Sequence, residues 1–260
     1  MKLKDSLTNL KRHSFLFEQL VKRDFEHKYK RTALGALWSV LSPLLTLLVM
    51  KVVFTQFFGR NTPHYTIYLF AGNIIFSYYR EATTNGMQSL MQNANVIDKI
   101  NLPKYLFVFS RNVQAFFNFL LTVLVFFVFC IFDHIEFGFH MLMLIYPIIC
   151  LLILNIGIGL FLSAIYIFFR DMTYLYQVFL TLLNYLSAVF YTIDGYSPTI
   201  QKLFLLNPVY VSIKYFRTVV IDGVIPSFQY HLLMLGYSVF FMALGSYMYK
   251  KYNHQFIYYL

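Results

Sequence analysis

The chain has 260 residues, of which 59% are hydrophobic and only 12% charged, with a formal net charge of +10. Soluble domains carry about a quarter charged residues, so a water-soluble globular fold is excluded. The positive balance reads as a topology signal and an attraction to anionic lipid, in preference to a nucleic-acid-binding surface.

Residues 1–31 predict a cytoplasmic amphipathic helix at the membrane interface. Leu3, Leu7, Leu10, Phe17 and Val21 recur at helical spacing, with Lys and Arg on other faces. Glu18–Lys22, Asp24–Lys28 and Glu26–Lys30 are acid-before-base pairs four residues apart, which favour a helix. Such a helix either rests on lipid headgroups or acts as a gate at the mouth of a pathway. The residues alone leave both open. They lack the apolar core region of a signal peptide.

Residues 32–260 read as a membrane-embedded domain. A helical crossing takes about 20 apolar residues, and charge-poor runs place six transmembrane helices at approximately 32–58, 62–80, 107–132, 140–169, 172–193 and 230–249. No ten-residue alternation indicates a barrel, so the predicted class is an all-α integral membrane protein. Pro43 removes a backbone hydrogen bond inside the first span. Gly72 and Asn73 interrupt the second. The stretch after it, ATTNGMQSLMQNANVIDKINLPKY, is too polar for lipid and longer than a tight turn, which predicts a cytoplasmic structure available for contact. Between spans five and six, Leu203–Leu206 and Val209–Ile213 are too short to cross, and Asn207-Pro208 breaks the chain between them. Two short re-entrant helices are predicted there, with an extracellular cap as the alternative.

Leaving Lys51 aside, sixteen Lys and Arg fall on one side of these spans and four (Arg60, Lys202, Lys214 and Arg217) on the other. The basic side is cytoplasmic, so both termini are predicted there. Catalytic signatures are absent: the chain has no GxxxxGK[ST] phosphate loop, HExxH, CxxC or GxSxG. Cys130 and Cys150 both fall within spans and build no disulfide framework or metal cluster. No carboxylate falls in the middle of a predicted span, which argues against a proton- or sodium-driven carrier. Asp133, His134, Glu136 and His140 form the one outer cluster of acids and histidines, a thin basis for a membrane-embedded envelope transferase.

Two polar stripes stand out. Tyr174, Gln177, Thr181, Asn184, Ser187 and Tyr191 repeat at spacings of three and four in the fifth span. Thr32, Gly35, Ser39, Ser42 and Thr46 do the same in the first, with Trp38 beside them. That spacing puts each set on one helix face. Such a face is either a packing surface, where small and amide side chains bridge helices, or the wall of a hydrated passage for a hydroxyl-rich substrate.

Five segments, in order, carry a resemblance: LVKRDFEHKYKRTALGALWSVLSPLL; NANVIDKINLPKY, followed by Ser110 and Arg111; IFFRDMTYLYQVFL; SAVFYTIDGYSP; and LLNPVYVSIKYFRTVVIDG. Together they resemble the membrane subunits of ABC-2 type exporters of polysaccharide. The resemblance implies a homodimeric permease in the bacterial cytoplasmic membrane, exporting lipid-linked O-antigen, capsular polysaccharide or wall teichoic acid. A drug or lipid cargo is the alternative within the same family. It implies no cofactor in this chain, ATP and Mg being bound by two copies of a separate cytoplasmic ATPase. It makes the first and fifth helices the passage, hence Trp38, Ser39, Ser42, Thr46, Tyr174, Gln177, Thr181, Asn184, Ser187 and Tyr191. It makes the N-terminal helix a gate, where Arg23, Lys28, Lys30 and Arg31 would meet the lipid diphosphate. It assigns contact with the ATPase to Asn93, Asn95, Asp98, Lys99, Pro103 and Lys104. Relatives often carry a proline after the serine ending span five; Ala188 stands there in this chain, so the bend is not assumed.

Overall fold

The computed structural model describes residues 14–29, 35–58, 63–97 and 103–259, and among these it is helical with no strand. The helices are α1 (Ser14–Tyr29), α2 (Trp38–Phe58), α3 (Tyr65–Gln92), α4 (Ala94–Ile97), α5 (Tyr105–Phe132), α6 (Ile145–Phe168), α7 (Met172–Leu186), α8 (Pro198–Phe204), α9 (Pro208–Val220), α10 (Phe228–Tyr252) and α11 (Phe256–Tyr259). Four of them, α2, α5, α6 with the 3-10 turn before it, and α10, are long and apolar enough to cross a membrane.

Helix α6 is the hub. It packs along α10 on one side and α3 on the other, and α3 also packs on α5. Between lipid-facing helices, close approach rather than water exclusion drives association, which favours small residues at crossings. Here Gly157 of α6 meets Gly245 of α10 backbone to backbone, and a Cβ on Gly157 would sit 2.5 Å from Phe241 and Met242 main-chain atoms. Two residues on, a Cβ on Gly86 of α3 would lie 3.0 Å from Gly159 Cα. No flexible side chain is there to yield. Gly245→Val is therefore expected to cost at least about 3 kcal/mol, the upper end for overpacking. The check is the thermal midpoint of the detergent-solubilised protein, which should fall by several degrees; an unchanged midpoint would refute the crossing.

Two elements differ from the sequence expectation. The helix of the second predicted span does not end near residue 80. Helix α3 continues to Gln92, because Ala82, Gly86, Met87 and Leu90 form a fully buried face along the polar stretch. This places Glu81, which lay just past the end of the predicted span, well inside a 28-residue helix. The fifth helix is shorter than expected and ends at Leu186, with Ser187 to Ile193 unwound.

Helix α2 lies at the periphery. Only 11% of its apolar window is buried, against 61% for residues 139–168. Helix α7 is similarly detached, touching the body through Tyr176, Leu180 and Leu183. Both carry large exposed apolar side chains, including Leu45, Leu48 and Val49 on α2 and Leu175, Val178 and Leu182 on α7.

Candidate functional site

Between α2 and α7, over α3 and α5, runs a groove of about 660 Å³. Helix α2 lines it with Trp38, Ser39, Ser42 and Thr46, and α7 adds Gln177. The floor is more polar than either wall. Asn73, Ser77 and Glu81 rise from α3 at four-residue spacing, and Asn118 and Thr122 face them from α5. Side chains four apart share one helix face, so two polar ladders meet. Asn118 Nδ2 donates to Glu81 Oε1 at 2.8 Å, and Ser77 Oγ donates to Asn73 Oδ1 at 3.3 Å. Tyr78 and Phe119, stacked at 4.5 Å between ring centroids, back the floor. The sequence stripes named the two walls and missed this floor. The signal was present as Asn73, Ser77, Glu81, Thr84 on one face, but it straddled the point where the span was expected to end.

The predicted passage residues of α7 do not share one environment. Tyr174, Gln177 and Thr181 are exposed, Asn184 is half-buried, and Ser187 is buried. Thr181 Oγ1 donates to the Gln177 carbonyl and Thr46 Oγ1 to the Ser42 carbonyl, as hydroxyls in lipid-facing helices do. Ser187 Oγ donates to the Leu183 carbonyl at 2.7 Å, and Tyr191 donates to the Tyr185 carbonyl at 2.8 Å. Of this stripe, Gln177 lines the groove. On the opposite side of α7, Tyr176 donates to Thr83 Oγ1 at 2.6 Å and pins the helix to α3.

The end of α7 is held by residues far along the chain. A helix leaves its last four carbonyls without partners. Asn207 Nδ2 donates to the Leu186 carbonyl and to Ser187 Oγ. Its Oδ1 accepts from the Val209 and Tyr210 amides, so the same amide starts α9, with Pro208 at the first helical position. Arg217 of α9 donates to the carbonyls of Ala188, Val189 and Tyr68, with its guanidinium 3.4 Å over the Tyr68 ring. Ala188 has φ 49°. The chain therefore turns there without a proline; proline, locked at negative φ, could not adopt that angle. Arg217, counted above as an outer loop charge, is only 5% exposed.

At the opposite end, α1 docks on α5 through one carboxylate. Asp24 is 1% exposed. It accepts from Arg23 Nη2 at 2.7 Å and from Ser110 Oγ at 3.1 Å, with Arg111 Nε at 3.5 Å. Arg23 also donates to Asn93 Oδ1 at 2.6 Å. Arg23, a predicted lipid-diphosphate contact, is thus engaged within the protein, and Asn93, a predicted ATPase contact, is buried. Asn95 is exposed and Pro103 half-buried. Lys104 is buried, donating to the Asn253 carbonyl at 2.7 Å, and burial pushes its amine below the usual lysine range. Lys30, Arg31, Asp98 and Lys99, and the side chain of Lys28, lie outside the described residues. At the outer cluster, Asp133 faces His64 Nδ1 at 2.7 Å. No group of three His, Cys, Asp or Glu positioned for a metal exists among the described residues.

The family model described as ABC-2 type transporter matches residues 16–221, from α1 to just past α9. The chain belongs to the ABC-2 type transporter family. The family region of this ABC-2 chain thus holds the α1 dock, the whole groove and the Arg217 clamp. It is also similar to two curated proteins along nearly its full length. An O-antigen export system permease protein RfbA of Klebsiella pneumoniae is 24% identical over 247 residues, covering 93% of this chain and 95% of the relative. The protein of the same name in Myxococcus xanthus is 22% identical over 249 residues, covering 93% and 94%. As an ABC-2 type, multi-pass membrane chain, it is a transport subunit.

Proposed function

We propose that this chain is the membrane-spanning subunit of an ATP-driven exporter that moves lipid-linked polysaccharide (O-antigen or capsule) or wall teichoic acid across the bacterial cytoplasmic membrane. The observation that carries it is the polar groove between α2 and α7 in an ABC-2 family chain whose relatives are named as O-antigen permeases. Hydroxyls and amides in a membrane bundle must be hydrogen-bonded or wet, and a groove lined by both suits a hydroxyl-rich cargo.

In this reading α2, α3, α5, α6, α7 and α10 are six spans with both termini cytoplasmic. The fifteen residues of α7 reach about 22 Å, and the unwound segment after Leu186 completes the crossing. Helices α8 and α9 are re-entrant, which the burial of most of α9 supports. The exposed apolar faces of α2 and α7 meet a second copy, and the homodimer encloses the passage. Residues 1–31 form the gate and residues 32–260 the transmembrane domain. Two copies of a separate ATPase bind ATP and Mg, contacting the cytoplasmic surface around Asn95 and the segment to Lys104.

Gln177→Leu and Asn184→Leu are each expected to lower surface polymer about five-fold with dimer assembly intact, read by glycan immunoblot and by cross-linking of the solubilised protein. Unchanged export would remove both residues from the passage.

A further inference from the structure

We propose that Glu81 and Asn118, on the groove floor, form a binding site for the hydroxyl groups of an uncharged glycan segment, placed on α3 and α5 rather than on the two passage helices. The inference rests on the export reading above and adds which side chains grip the cargo. A carboxylate inside a helical bundle is costly and rare unless it serves a function. Glu81 is half-buried and opens on the groove, while its partner Asn118 is 5% exposed.

The chemistry fits a polyol. A carboxylate accepts several hydrogen bonds at once, and the neighbouring amide both donates and accepts. Bonds from sugar hydroxyls to an ionised acceptor are about twice as strong as neutral ones. Ser77, Asn73 and Thr122 continue the same polar face toward one end of the groove, over about two helical turns. The stacked Tyr78–Phe119 pair behind them fixes the floor, so the groups are held in place before the ligand arrives. At about 660 Å³ the groove is within the usual range for small-molecule sites, about 300–1,000 Å³. Among the described residues, Arg80 and Glu81 are the charged side chains that line the groove, one of each sign, which favours a neutral segment over an anionic one.

The test uses the full chain in polymer-producing cells. A photo-reactive benzoyl-phenylalanine is placed at Ser77 or Asn85 in the groove, or at Tyr174 or Thr181 on the exposed α7 stripe outside it. Illumination should attach glycan at Ser77 and Asn85. Glu81→Leu should lower both that capture and surface polymer at least five-fold, and Glu81→Gln should retain at least three-fold more than leucine does. Capture confined to Tyr174 and Thr181, or at none of the four, overturns the site while leaving export standing. Capture at Ser77 and Asn85 that Glu81→Leu leaves unchanged also overturns it, because the carboxylate would then play no part in holding the glycan. In these cells the export reading is tested separately: it falls if polymer reaches the surface without the chain. The Ser77 arm leaves Glu81 untouched, so it does not depend on that variant folding.

Discussion

Arg217→Met is expected to release the end of α7 and abolish export. The guanidinium satisfies carbonyls of Ala188 and Val189 just beyond α7 and of Tyr68 on α3. Methionine fills similar volume and donates nothing, so the Ala188 and Val189 carbonyls beyond the helix end lose these partners. Losing hydrogen bonds to a charged donor costs about 1.5–3 kcal/mol each before relaxation, so a loss of at least about 3 kcal/mol is expected. Arg217→Lys should recover only part, because three donors on a point charge do not reproduce the planar fork. Gly72 belongs to the same device: a Cβ there would lie 2.5 Å from Arg217 Nη2. Gly72→Ala should therefore mimic Arg217→Met in milder form. The thermal midpoint in detergent and surface polymer in cells are the two readings. Wild-type values of both for Arg217→Met would refute the clamp.

Asp24→Leu is expected to undock α1. The carboxylate is nearly fully buried, and removing it takes the counter-charge from Arg111 Nε, while Ser110 Oγ keeps only its bond to the Phe107 carbonyl. Breaking a buried ion pair from one side costs about 3–5 kcal/mol. Arg23, at 41% exposed, contributes less than Arg111 because water already solvates it. A local loss of about 3 kcal/mol raises amide exchange in residues 14–29 by about a hundred-fold. Asp24→Asn, which keeps an acceptor, should fall between. If α1 is the gate, loosening it lowers export without lowering the amount of protein in the membrane. Exchange in residues 14–29 unchanged by Asp24→Leu would show that the dock rests on other contacts, such as the buried Leu20.

The all-helical, membrane-embedded class was legible in composition, because long charge-free runs have no other stable use in this chain. Polar spacing on the first and fifth helices was equally legible, since a face follows from periodicity alone. What that face looks onto does not follow. Tyr176, Leu180 and Leu183 hold α7 to the body, and its polar side ranges from exposed Tyr174 to buried Ser187. The second span was ended near residue 80 because Arg80-Glu81 and the Thr-Asn stretch are too polar for lipid. The small residues Ala82 and Gly86, which allow close packing on α6, kept the helix going. Asn207-Pro208 was read correctly as a break between two short helices. Its second task, ending α7 twenty residues earlier in the chain, is a tertiary contact that no local signal announces. For the same reason Arg217 was counted as a loop charge: charge counting has no access to burial.

The most direct test is translocation itself. The chain would be purified with the ATPase that co-isolates with it, placed in lipid vesicles and supplied with lipid-linked glycan and ATP. Glycan should appear inside vesicles only with both proteins and ATP present, and the chain alone should hydrolyse no ATP. Vesicles that stay impermeable to glycan under every nucleotide condition, or ATP cleavage by this polypeptide alone, would contradict the account.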